Sequence, residues 1–207
     1  MDREPQGNEL ARAQTARHVE TLLHALGADL HDPELRGTPA RVSEMLEDLL
    51  SGHDPERAPE LAAIANPDAS TGLVLVRGVR FYSLCAHHLL PFFGEAHVGY
   101  VPGERLAGLG DLARVVDYFS RRLTLQERIA AGVADYLERG LRARGVAVLL
   151  EARHLCLEMR GQRKPAAVET SAYRGVLAEP QRRLEFLVRV GRGGGEAAAA
   201  TDADTRG

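Results

Sequence analysis

Two hundred and seven residues are enough for one domain with at most a small appendage, and enough to bury a core, which excludes a disulfide-stapled mini-protein. The 26 Lys and Arg against 29 Asp and Glu leave a formal charge of -3, and 44% hydrophobic with 27% charged residues is ordinary globular composition, so neither a disordered chain nor a polybasic nucleic-acid binder is expected. No apolar run approaches the roughly 18 residues of a membrane span, and the opening Met1-Asp2-Arg3-Glu4-Pro5 lacks a signal-peptide stretch; the chain reads as soluble and cytoplasmic, with no membrane partner.

The first eight residues read as frayed. From Glu9 to Leu26, apolar residues recur at helical spacing (Leu10, Ala13, Ala16, Val19, Leu22, Leu23, Leu26) until Gly27 stops the pattern. Thr38 followed by Pro39 reads as an N-cap and first-turn pair opening a second helix through Val42, Met45, Leu46 and Leu49 to Gly52. Pro, Asp, Asn and Ser then interrupt every pattern between His53 and Thr71, so residues 1–71 read as a helical N-terminal region ending in an irregular connection.

The grammar changes at Gly72. Leu73 to Val79 and Phe92 to Val101 are rich in Val, Phe and Tyr and read as strands flanking a loop at Cys85. Two consecutive helices follow, one from Asp111 to Arg122 and one opening at Thr124-Leu125-Gln126-Glu127, which matches a capping box. Val146 to Glu158 reads as a long strand, Ala167 to Tyr173 as another, and Pro180 to Val190 as a final helix, before a Gly- and Ala-rich tail over 191–207 expected to be disordered. Strands separated by two consecutive helices give α+β class for the domain at 72–190.

The only cysteines are Cys85 and Cys156, and each has a histidine within three residues: Cys85-Ala86-His87-His88 and His154-Leu155-Cys156. A lone disulfide fits the count, but a reducing compartment argues against it and the histidines shift the reading toward a metal or a catalytic site. Cys85, His88 and Cys156 form a soft N/S donor set suited to Zn²⁺, and three protein ligands leave a fourth tetrahedral position open, as catalytic zinc requires. The competing reading is two buried apolar cysteines beside incidental histidines. On a strand, His154 and Cys156 would share one face. His87 and His154 are therefore the candidate proton carriers of a multistep hydrolysis. Glu127 serves either the capping box or a ligand, and Arg114, Arg160, Arg163 and Lys164 are either a phosphate cluster or solvated surface.

Several of these motifs, in order, resemble GTP cyclohydrolase I: Ser83-Leu84-Cys85-Ala86-His87-His88-Leu89-Leu90-Pro91-Phe92-Phe93-Gly94, Gly108-Leu109, Leu112-Ala113-Arg114, Gln126-Glu127-Arg128, His154-Leu155-Cys156, Met159-Arg160-Gly161 and Thr170-Ser171-Ala172, with Thr38-Pro39-Ala40-Arg41-Val42 before them. The resemblance runs from about Leu10 to Leu187. It implies a tunnelling fold with an antiparallel sheet, assembled as a toroidal homodecamer with active sites between subunits. It also implies zinc on Cys85, His88 and Cys156, opening of the guanine ring at C8 with loss of formate, and closure to dihydroneopterin triphosphate. His87 and His154 would carry protons, Glu127 with Gln126 would bind guanine, and Arg114 and Arg160 would hold the triphosphate.

The sequence departs from that family at four places. Ala86 stands where a glutamate is usual, Gly110 and Asp111 where Ser-Lys is usual, and Thr124 where a glutamine is common. The missing serine bears on ribose handling. Asp111 places an anion where a cation would meet phosphate, a repulsion of about 1 kcal/mol or more at a partly screened site. The alternatives are thus a diverged enzyme taking a less phosphorylated purine or stopping at a ring-opened product, and a silent purine-binding subunit.

Overall fold

The computed structural model describes residues 5–161 and 163–191. The chain divides into two compact units, Met1–Ser51 and Gly52–Gly207. The tail expected at 191–207 lies, from residue 192 onward, outside the described residues, as do the first four of the eight residues expected to fray.

The first unit is a helix pair, α1 (Pro5–Ala25) and α2 (Thr38–Leu49). Gly27, at φ 80°, ends α1 as expected, with its N–H on His24 O and the Ala28 N–H on Leu23 O in a left-handed stop that favours glycine. The two helices are joined by the buried Ser43 hydroxyl, which donates to Arg12 O at 2.8 Å, and by an Arg12–Glu47 ion pair. The cap of α2 differs from expectation. Gly37 is the N-cap and Thr38 the first helical residue, its hydroxyl accepting from Arg41 Nη2 at 3.0 Å. Leu10, Leu22, Leu26 and Met45 stay exposed.

In the second unit, β1 (Ile64–Ala65) pairs with β4 (Arg105–Leu106). The main sheet runs β5-β2-β3-β6-β7, with β2 at Val74–Cys85, β3 at Pro91–Val101, β5 at Leu123–Thr124, β6 at Gly145–His154 and β7 at Ala167–Gly175. The long ladders are antiparallel, and the two-residue β5 pairs parallel with the end of β2. Helices α3 (Leu109–Ser120) and α4 (Gln126–Leu141) lie between β4 and β6, with only the two-residue β5 between them, rather than directly in succession. The α+β class and the arrangement expected of the tunnelling fold are therefore present.

Periodicity explains the packing. Leu112, Val115 and Val116 of α3 and Ile129, Val133, Leu137 and Leu141 of α4 are buried at helical spacing against Phe81, Phe92, Val98, Tyr100, Val148 and Leu150 of the sheet. Each such side chain contributes roughly 1.5–3 kcal/mol by leaving water. On the opposite face Val101, Ala147 and Leu149 meet Leu177 and Phe186, the latter from α6 (Pro180–Gly191). With both faces of β6 covered, Val146 to Leu150 is a continuous apolar run rather than an alternation.

Two expectations near the site are corrected. The strand read as reaching Glu158 ends at His154, and Leu155–Glu158 turns into the single-turn helix α5. The capping box at Thr124 does not form: Thr124 belongs to β5, opposite Cys85, and the N-cap of α4 is Leu125 with no side-chain cap bond.

Candidate metal centre

The loop after β2 closes on itself. Cys85 N–H donates to Leu90 O at 2.9 Å, and Cys85 O accepts from the N–H groups of His88 at 3.2 Å and Leu89 at 2.9 Å. Leu89 takes the left-handed conformation, φ 55°, that this reversal needs. β5 supports the loop from the side, with Ala86 N–H on Thr124 O at 3.0 Å. The Cys-x-x-His step thereby brings Cys85 Sγ to 3.9 Å from His88 Nδ1. The α5 turn supplies the third donor. Ligand atoms of Cys85, His88 and Cys156 all lie within 4.8 Å of one another, Cys85 buried, Cys156 half-buried and His88 exposed.

A tetrahedral zinc with Zn–S of about 2.3 Å and Zn–N of about 2.0 Å sets its donors roughly 3.5–3.8 Å apart. Small side-chain shifts close this triangle on such an ion, and one side of it is exposed. Burial pushes the Cys156 thiol up from its ordinary value, and Cys85 beside it adds to that. A bound divalent cation reverses this balance and favours thiolate.

His154 ends β6 beside the triad. Its ring stacks on Phe92, centroids 4.7 Å apart and planes within 2°, and Nε2 lies 2.7 Å from Gln126 Oε1. Gln126 is buried, and its amide donates to Leu150 O at 3.1 Å and Val168 O at 2.9 Å. Both amide hydrogens are thus committed, so the oxygen must face His154, Nε2 must donate to it, and Nδ1 carries the lone pair of the neutral ring. Burial lowers the His154 pKa, and the Glu127 charge partly offsets this.

The remaining candidates divide. His87 is exposed beside His88, the rings edge to face at 6.0 Å. Glu127 is exposed in the first turn of α4 and free of the capping role. Arg160, Arg163 and Lys164 are exposed on one short segment after α5, with Arg163 N–H on Arg160 O and Lys164 N–H on Leu157 O. Arg114 sits apart from them in sequence, on α3, where it pairs with Asp111. Asp111 itself is 2% exposed and faces inward, contrary to the expectation that it meets phosphate. The strand-alternation argument for His154 and Cys156 also fails, since Cys156 is on a helical turn. Sequence reasoning missed Phe92 as the stacking partner of His154 and Gln126 as its anchor. Phe92 carried a signal in its place directly after Pro91 in the recognised motif; Gln126 carried none, because its acceptors are backbone atoms of distant strands.

The GTP cyclohydrolase I family profile matches residues 15–191. The chain belongs to the GTP cyclohydrolase I family. It is 46% identical over 172 residues to the GTP cyclohydrolase 1 of Halalkalibacterium halodurans, covering 82% of this chain and 91% of that one. To the GTP cyclohydrolase 1 of a Sulfurihydrogenibium species it is 43% identical over 171 residues, covering 82% and 89%. Among solved structures it is similar to an archaeosine synthase QueF-like protein in the apo form, at 20% identity over 50% of this chain and 93% of that one with a TM-score of 0.41, a likeness too slight to bear on function. Among the described residues no helix is long and apolar enough to cross a membrane.

Proposed function

We propose that this GTP cyclohydrolase I family hydrolase is zinc-dependent, opens the imidazole ring of GTP at C8, releases formate and forms 7,8-dihydroneopterin triphosphate. The observation that carries the reading is the convergence of Cys85, His88 and Cys156 beside an imidazole, His154, whose ring and tautomer are held from behind. Cys85, His88 and Cys156 would hold the zinc, which supplies Lewis acidity and lowers the pKa of water enough for attack at neutral pH.

The chain's own side chains do the rest. His154 accepts a proton at Nδ1 while Gln126 keeps Nε2–H engaged, and desolvation favours the neutral ring, the form that can accept. His87, exposed beside His88, passes protons between the site and solvent. The Glu127 carboxylate accepts hydrogen bonds from the guanine N1–H and 2-amino group, a pairing that matches its two oxygens. Arg160 and Arg114 bind the phosphates, and Gln126 acts on His154 rather than on the substrate. Assembly is proposed as a homodecamer with active sites between subunits, since β7 ends the sheet among the described residues and His88 of the triad is exposed, which leaves surface for another copy; the location is proposed as the cytoplasm.

Formate release from GTP by the zinc-loaded protein, with the pterin product identified by mass and fluorescence, tests the reading. Formate with a deformylated pyrimidine would mark an enzyme that stops early. No formate from any guanine compound would leave a silent binding subunit. Sedimentation at high dilution tests the assembly, and a fully active monomer would refute it.

A further inference from the structure

Asp111 is a charged residue in the first turn of α3, 2% exposed, and its two carboxylate oxygens have different partners. One carboxylate oxygen accepts from Ala62 N–H at 2.6 Å, tying the 61–63 segment to the helix, and Leu61 and Ala63 on either side pack onto the main core. The other oxygen accepts from Arg114 Nη2. The Arg114 side chain is 56% exposed. A Cβ on Gly110 would sit 3.5 Å from Arg114 Nη1, so the guanidinium lies along the first turn of the helix with the buried carboxylate on one side.

Two features that attract phosphate therefore meet the same anion. The guanidinium is one. The other is the N-terminus of α3, whose N-cap Gly108 has no side chain to offer and whose positive end the Asp111 carboxylate opposes from within. Asp111 cannot swing out to repel a ligand, because its inner oxygen is committed to Ala62. Its effect is to cancel the charge of Arg114 from behind.

We infer that Asp111 sets phosphate selectivity in this enzyme: by neutralising Arg114 from the buried side, it makes the nucleotide's terminal phosphates add little affinity, so that mono- and triphosphates of guanosine are bound comparably. The inference rests on the reading of Arg114 as a phosphate-facing residue given above.

Calorimetric binding of 7-deaza-GTP and 7-deaza-GMP to the zinc-loaded enzyme tests it without turnover, since replacing N7 by carbon removes the amidine that is hydrolysed. The native protein is expected to bind the triphosphate no more than about tenfold more tightly than the monophosphate; a greater preference overturns the inference, whatever happens to the variant. Asp111→Asn keeps an oxygen for Ala62 N–H but turns an amide donor toward Arg114, releasing the guanidinium. It is expected to raise the triphosphate preference about tenfold and to steepen its salt dependence, with 7-deazaguanosine binding unchanged. A fall in that preference would mean that Asp111 orients Arg114 for phosphate, and equal changes for all three ligands would mean a purely structural residue; either result overturns the inference. Formate release by the native enzyme, measured separately, tests the catalytic reading, so either can fail alone.

Discussion

Replacing Gln126 by methionine, similar in length and apolar, separates two roles for this residue. The sequence suggests a substrate contact. The geometry shows three side-chain hydrogen bonds, to Leu150 O, Val168 O and His154 Nε2, and a side chain 2% exposed. Net contributions of about 0.5–1.5 kcal/mol per bond put the stability loss at roughly 1.5–4.5 kcal/mol, partly offset by burying an apolar thioether. The functional loss has a different origin. Without the Gln126 oxygen nothing selects the Nε2–H tautomer of His154, while stacking on Phe92 still holds the ring plane. A positioned acid or base contributes about 10²–10⁴-fold, and losing its orientation is expected to remove about ten- to hundredfold from kcat, with KM for GTP nearly unchanged. Formate-release kinetics give the split, and ¹⁵N shifts of the His154 ring report the tautomer directly. A variant with native kcat and a KM raised tenfold would refute the positioning role and restore Gln126 as a substrate contact.

Cys156→Ser is expected to lose most bound zinc by elemental analysis while keeping its circular dichroism, because the α5 turn is closed by backbone bonds and lies at the edge of the core. Asp111→Lys is expected to cost about 3–5 kcal/mol in denaturant unfolding, since a buried ammonium would face the Ala62 N–H and Arg114, both donors. For pH, burial holds the His97 imidazole below its ordinary value, opposed by Glu95 and Glu151 and assisted by Arg77, and Nδ1 accepts from Gly78 N–H at 3.3 Å. The folded state then binds fewer protons here than the unfolded state, so stability should decline as pH falls below about 6.5, and His97→Gln should flatten that decline in thermal unfolding; a variant with the same pH slope would exclude His97 as its source.

The parts of the fold that were legible before the structure are those in which one residue pattern has one physical solution. The α3 and α4 faces repeat at 3.6 residues, and Gly27 can stop a helix at φ 80°. Helix entry points were harder. Thr38 and Thr124 both have the chemistry of an N-cap, but a cap must also stand immediately before the first helical residue. At residue 38 the helix begins one position earlier, and at 124 the backbone is taken by pairing with Cys85. Leu155 and Leu157 alternate with Cys156 and Glu158 as a strand would. Four residues are too few to tell an extended strand from a single helical turn by periodicity.

The proximity of Cys85 and His88 was legible because a Cys-x-x-His loop carries its own geometry, whereas Gln126, which holds His154, acts through backbone carbonyls that no local pattern encodes. Asp111 falls between these cases. Set against the lysine usual at its position, its charge alone suggests an anion facing phosphate. Its position, third in a helix after the uncapped Gly108, is equally where a helix N-terminus favours a carboxylate. The two readings predict opposite directions for the side chain, and they differ in cost. An exposed Asp111 would leave the Ala62 N–H without its acceptor and Arg114 without its partner. An inward Asp111 satisfies both and has the helix N-terminus to offset its own desolvation. Local backbone electrostatics therefore decides where the charge points, and its effect on a ligand reaches outward only through Arg114.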